Sequence, residues 1–200
     1  MSRKANGQAA LGFRARTGFA ALVALAGPLS APRVIAREQI GLQDPRVPRF
    51  VYHAAEEAGN AKAAKIVSEA RERILTLAKK SIAAVVKRLR AEGHDPRKGA
   101  VTVGANPMPH ELEKILAAHT LIHAAEGVFY REILLAACEA CKVNPLRVVE
   151  REAWSRAAKT LRKSEHALRA TVQSWGKILG PPWGEDQKLA CLAAWLALSS

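Results

Sequence analysis

The spacing of apolar and polar positions changes along this chain, and each change marks an element. Residues 9–16 (AALGFRAR) and 19–26 (FAALVALA) are short apolar runs joined by Thr17-Gly18, a tight-turn pair. Residues 33–42 follow, rich in β-branched side chains near the start and bounded by Pro32 and Gly41. Gly27-Pro28-Leu29-Ser30-Ala31-Pro32 reads as the loop between the second and third runs. The pattern predicts three consecutive antiparallel strands.

The same segment has the outline of a secretion signal: Arg14 and Arg16, an apolar run, then the small patch Leu29-Ser30-Ala31. Pro32 directly follows the only suitable cleavage patch, where it is disfavoured, and the run is short and ends in Gly27-Pro28. The meander is the better reading.

From residue 53 the period becomes helical. Ile66, Ile74, Leu77, Val85 and Leu89 form one stripe, which predicts a helix over 53–92 ended by Gly93. Residues 100–104 (AVTVG) form a short buried strand, and Pro107 and Pro109 introduce a helix over 110–141. A fifth strand is expected over 146–150 and a basic helix over 152–176. Gly180-Pro181-Pro182-Trp183-Gly184 breaks that helix, with Trp183 plugging a corner between helices, and a closing helix spans 185–198. The order β-β-β-α-β-α-β-α-α predicts an α/β protein. Its mixed five-stranded sheet has three antiparallel strands, then two crossovers, with helices on both faces. One domain over 1–200 is expected, with residues 1–8 as a disordered basic tail.

Composition narrows the function classes. Hydrophobic residues are 49% and charged residues 24%, which fits a globular domain, and no apolar run approaches the roughly 18 residues of a spanning helix. The net charge of +13 favours a polyanionic partner, nucleic acid first, and no membrane insertion is expected. Between residues 61 and 98 there are eleven Lys or Arg against four acids. On the third helix Arg156, Lys159 and Lys163 recur at i, i+3 and i+7 with Arg151 nearby, a stripe suited to phosphates or simply a solvated face. Aromatics at 5% leave few platforms for stacking bases. Three cysteines, Cys138, Cys141 and Cys191, suit a reducing compartment and so the cytoplasm. Cys138-Glu139-Ala140-Cys141 lacks the further ligands that zinc needs. A homo-oligomer stays open.

One constellation carries candidate chemistry. His119, His123, Glu126 and Tyr130 fall within about 60° of one another on a helix. Their stripe also holds Leu112, Ile115, Leu116, Ile133 and Leu134, so the polar group is expected on the apolar face. Burying such groups unpaired costs several kcal/mol, so they must pair or line a cavity. Glu126 could orient His119 or His123 as a general base, or the three could hold a transition metal. The plainer alternative is a hydrogen-bonded patch at a helix–sheet seam. His53 is the best partner from another segment. Asp186, as a fourth catalytic candidate, and Lys188 follow if the closing helix packs nearby. The cofactor stays unknown, with a divalent metal open.

The strand order resembles the ribonuclease-H-like superfamily, which includes the Holliday-junction resolvases and the related actin-like ATPases. Arg16-Thr17-Gly18-Phe19 looks like the Thr-Gly-aromatic turn after the first resolvase strand. Asp186 to Leu196 (DQKLACLAAWL) looks like the Asp-bearing, alanine-rich closing helix. The resemblance implies two divalent metals held by carboxylates, one of them on the first strand. Here the first acid in the chain is Glu38, the first strand offers Arg14 and Arg16, and the fourth has no acid. Only Asp186 and Glu150 match the pattern. The Asp-Gly phosphate loop of the ATPases is missing too. The resemblance therefore implies a ribonuclease-H-like domain that binds nucleic acid without two-metal cleavage. An enzyme using a His119/His123/Glu126 pocket, and a non-catalytic assembly or adaptor protein, are the alternatives.

Overall fold

A computed structural model describes residues 7–200, and five strands form one sheet in the order β3-β2-β1-β4-β5. The meander is β1 (Gly7–Arg16), β2 (Phe19–Ala26) and β3 (Arg33–Gly41), paired antiparallel. The two crossovers add β4 (His94–Val103) and β5 (Asn144–Val149), parallel to β1. The apolar run 19–26 is thus an inner strand of the sheet. Of the expected basic tail, Gly7 and Gln8 already belong to β1, and residues 1–6 lie outside the described residues.

The central strands read as continuous apolar runs because both sheet faces are covered. Leu11, Phe13 and Ala15 face a core built by α2 (Asn60–Ala91) and α4 (His119–Ala140). Ala10 faces a second core formed with α5 (Ala153–Leu161), α6 (Glu165–Leu179) and α7 (Glu185–Leu198). Small residues let α7 lie close on the sheet: a Cβ on Gly12 would fall 1.8 Å from the Ala190 carbonyl oxygen. Trp183 fills the corner expected of it, half-buried, its indole N–H donating to Val172 O at 2.9 Å.

Three long helices expected from the pattern are divided, each for a local reason. The span 53–92 is α1 (Val51–Ala58) and α2, separated by Gly59 at φ +77°. The span 110–141 is α3 (Leu112–Leu116) and α4, separated where Ala118 turns extended at ψ 117°. The basic span 152–176 stops at Leu161, because Arg162 adopts a left-handed conformation at φ 52°, and Ser164 then caps α6. Periodicity shows an apolar face but not a one-residue break in it. Strand β4 begins six residues earlier than its apolar stretch, because its first half pairs along β1 from Gly7.

Candidate functional site

Two polar groupings stand out, one on each face of the sheet. The first lies where α1 meets α4. Helix α1 starts after Phe50, whose side chain cannot cap the first-turn N–H groups. Glu126 of α4 does so instead. Its Oε2 accepts from Val51 N at 3.1 Å, and its Oε1 accepts from Tyr52 N at 2.7 Å and His53 N at 3.2 Å. The same Oε1 takes the His53 Nδ1 proton at 3.1 Å. The carboxylate is buried, and the positive end of α1 and four donors hold its charge there.

That arrangement revises the expected stripe. Glu126 orients His53 and neither His119 nor His123. Those two are exposed on the first turns of α4, beyond the rim of the core, and of the stripe's four polar members only Glu126 and Tyr130 are buried. Tyr130 donates to Arg49 O at 2.7 Å, and burial pushes its hydroxyl up to about 12. Its role is to tie α4 to the segment before α1. His119 and His123 touch each other through their Nε2 atoms at 2.9 Å, and the His53 ring stands 4.8 Å from that of His123 and 5.7 Å from that of His119. One ring nitrogen from each of His53, His119 and His123 lies within 4.8 Å of the others. His53 and His123 also line a cavity of about 480 Å³ with Arg49, Phe50 and Glu57.

Asp186 and Lys188 do not join this group. They lie on α7, across the sheet, because α7 packs against β1, β2 and β4 from the opposite face. Lys188 lines a separate groove with Trp154, His166 and Arg169. Asp186 belongs to the second grouping, at the carboxyl ends of β1, β4 and β5, where ligands bind in open α/β sheets.

Arginines dominate there. Arg14 is 7% exposed, pairs with Glu150 at 2.8 Å, and gives its other terminal nitrogen to Ala15 O at 2.6 Å. Arg16 pairs with Asp186 at 2.9 Å, which raises its pKa further. Both acids that matched the metal-holding pattern are therefore neutralised by first-strand arginines. Arg131 reaches in from α4, and its pKa is lowered by burial first and then by Arg14. The buried Arg14 Nε, Arg131 Nε and Thr102 hydroxyl have no hydrogen-bond partner. The register that pairs Phe13 with Val101 brings Thr102 level with Arg14. A cavity of about 490 Å³ lies at the same end of the sheet, lined by Gly104, Glu150, Arg151, Trp154, Arg169 and Glu185, and Glu150 links it to Arg14.

The architecture has known counterparts. The structure of Thermus thermophilus RuvC in complex with a Holliday junction substrate superposes with a TM-score of 0.54 at 13% identity, covering 94% of this chain and 90% of that one. A second Thermus thermophilus RuvC structure gives 0.54 at 14% identity, over 94% and 91% of the two chains. The fold is ribonuclease-H-like. No family model and no curated protein matches the sequence.

On this ribonuclease-H-like frame the basic residues divide. Arg151 sits in a 3-10 turn over Glu150–Glu152 and lines the strand-end cavity. Arg156 and Lys159 are exposed on α5, with Arg156 donating to Arg147 O at 3.0 Å. Lys163 falls beyond the α5 terminus, so the expected i, i+3, i+7 stripe loses its last member. The nine Lys and Arg residues within α2 are all exposed, but on the other face of the sheet from α5. The two basic helices thus form two surfaces. Cys138 is buried and its thiol is pushed up by burial, while Cys141 rests on Lys79 O at 3.5 Å. Among the described residues, neither belongs to a group of three or more clustered metal-ligating side chains. No described helix is long and apolar enough to cross a membrane.

Sequence reasoning missed Arg131 and Thr102. The one signal for Arg131 was a cation set between Phe129-Tyr130 and Ile133-Leu134 on an apolar helix. Thr102 gave none, since threonine is ordinary in a strand.

Proposed function

We propose that this ribonuclease-H-like domain binds nucleic acid through its phosphates at the carboxyl ends of β1, β4 and β5, and does not cleave it by the two-metal route. One observation carries the reading: Arg14 is buried at this end of the first strand, paired to Glu150, with its Nε lacking a hydrogen-bond partner. Hard divalent ions need clustered, free carboxylate oxygens. Here Glu150 and Asp186 are each engaged by a guanidinium, and Arg131 adds further positive charge. The grouping repels cations and attracts anions. Guanidinium forks match phosphate geometry, and the unsatisfied buried donors are what an anion or its water would complete. Arg151 at the cavity rim, and Arg156 and Lys159 on the exposed face of α5, extend the positive surface outward. The RuvC counterpart is seen with a Holliday junction, so duplex and four-way-junction DNA are the first ligands to try. The free thiols of all three cysteines fit a cytoplasmic setting.

The test is binding of duplex and junction DNA as a function of salt, with strand integrity followed in Mg²⁺ and Mn²⁺. We expect affinity to fall steeply between about 50 and 200 mM salt, with a slope reporting several phosphates. No strand should be cut. Absence of binding near about 50 mM salt, or metal-dependent cleavage abolished by Asp186→Asn, overturns the proposal.

A further inference from the structure

We infer that His53, His119 and His123 form a binding site for a borderline divalent transition ion, zinc in the first instance, with Glu126 as the residue that positions His53. Three observations point to it. The ring nitrogens come from two separate helices, α1 and α4, yet lie within 4.8 Å of one another. His119 and His123 stand at i, i+4 on one helix face, the spacing that lets two imidazoles reach one ion. The buried carboxylate of Glu126 accepts the Nδ1 proton of His53. That bond assigns the tautomer and leaves Nε2 as the open lone pair. A carboxylate holding the remote nitrogen of a histidine is the usual support of a metal-bound imidazole, because it sets ring orientation and raises ligand basicity.

Without an ion the cluster is a poor fit for its own groups. The two Nε2 atoms of His119 and His123 meet at 2.9 Å, so one must carry a proton and donate to the other. On a tetrahedral zinc with Zn–N of about 2.0–2.1 Å, two such nitrogens stand roughly 3.3 Å apart. Opening the pair by a few tenths of an ångström and releasing that proton converts a histidine–histidine contact into two ligands. Because His119 and His123 are exposed side chains on the first turns of α4, that movement disturbs no core packing. Three imidazoles and no thiolate select zinc, copper or nickel over magnesium and calcium, which ask for oxygen. Three protein ligands leave a fourth position open for water or a ligand. The cavity of about 480 Å³ lined by His53, His123 and Glu57 adjoins it. The site lies across the sheet from the α7 face that carries Arg14 and Asp186, so it is independent of the phosphate-binding proposal.

The experiment is calorimetric titration of the chelator-treated full chain with Zn²⁺, with Co²⁺ used in parallel because its visible spectrum reports coordination. We expect one ion per chain and a tetrahedral or five-coordinate Co²⁺ spectrum. His119→Gln or His123→Gln should weaken binding at least 100-fold, since each removes one of three ligands. Glu126→Gln, which keeps an acceptor but loses the charge, should weaken it 10- to 100-fold. His166→Gln and Cys141→Ser should leave it unchanged, because His166 lies exposed on α6 and Cys141 rests on Lys79. DNA binding by His123→Gln should equal that of the parent, which separates this inference from the function proposed above. If the His53→Gln/His119→Gln/His123→Gln triple variant, folded by circular dichroism, binds Zn²⁺ as the parent does, the inference is overturned. A parent chain with no one-to-one Zn²⁺ binding overturns it as well.

Discussion

Arg14 and Glu150, 136 positions apart in sequence, meet at 2.8 Å at the carboxyl end of the sheet, the arginine 8% and the glutamate 32% exposed at their side chains. The first strand thus places a positive group where the ribonuclease-H-like resemblance implied a carboxylate. The ion pair also explains how a guanidinium can stay buried: its charge is matched, and its remaining donors seek acceptors.

Changing Arg14 to Met tests that relationship. Methionine keeps the length and apolar stem but removes the charge, and Glu150 can turn toward water. We expect a stability loss of about 1–3 kcal/mol, below the about 3–5 kcal/mol of breaking a fully buried pair, because Glu150 is 32% exposed and can be solvated. DNA affinity should fall at least about tenfold, a loss of roughly 1.4 kcal/mol, and the salt slope should shrink. Denaturant unfolding and a salt-dependent binding series measure both.

Glu126→Ala removes the acceptor of three first-turn N–H groups in α1 and of His53 Nδ1. The helix has no side-chain cap of its own to fall back on. A loss of about 2–4 kcal/mol is expected, against about 1 kcal/mol for Glu126→Gln, which still accepts hydrogen bonds. Amide exchange at residues 51–58 should rise in the alanine variant before global unfolding. Unchanged exchange there would show that the cap is not what holds α1.

Gly12→Ala should be among the most destabilising single changes in the chain. The added Cβ meets backbone on α7: Ala190 O at 1.8 Å and Ala194 N at 2.5 Å. Backbone cannot rotate away as a side chain can, so α7 must lift off the sheet, at a cost of at least about 3 kcal/mol. Gly59→Ala is the contrast, because nothing lies within 4 Å of its Cβ and only its backbone at φ +77°, ψ 160° resists, costing about 1–3 kcal/mol. Thermal midpoints of the two variants should differ in that order.

The Tyr130 hydroxyl is pushed up from 10.0 to about 12 in the folded protein, by burial first and then by the nearby Glu126. The unfolded chain therefore ionises this group first. Its contribution is fully present below pH 10 and is lost as pH rises toward 12, by about 2–3 kcal/mol. Tyr130→Phe gives up the bond to Arg49 O and starts less stable. Its stability should nevertheless decline less across that alkaline window. Parallel curves for the two proteins would refute the assignment.

Much of the architecture was legible before any coordinates. Apolar runs of strand length with Thr17-Gly18 and Gly27-Pro28 between them mark the meander, and Gly-Pro breaks mark where α7 begins. The divisions at Gly59, Ala118 and Arg162 were not legible, because an apolar stripe continues across a break when both pieces pack on the same core. The candidate site was legible only in part. Helical spacing collected His119, His123, Glu126 and Tyr130, and His53 was named as their partner from elsewhere. That Glu126 serves His53 depends on the placement of α1 against α4, which residue spacing within one helix does not contain.

Local periodicity and turn chemistry were enough to specify five strands, their order along the chain and two covered faces, because each depends on side chains near one another in sequence. The absence of acids from β1 was equally plain, since it is a property of composition. Which charges meet was decided by packing alone. Glu150 and Asp186 could have served a metal or an arginine, and only the closeness of β1 to α7 and to the end of β5 chose the arginines. The histidines likewise became a cluster through the angle between two helices. Side chains act over a few ångströms, and for residues far apart along the chain those distances exist only once the core has formed.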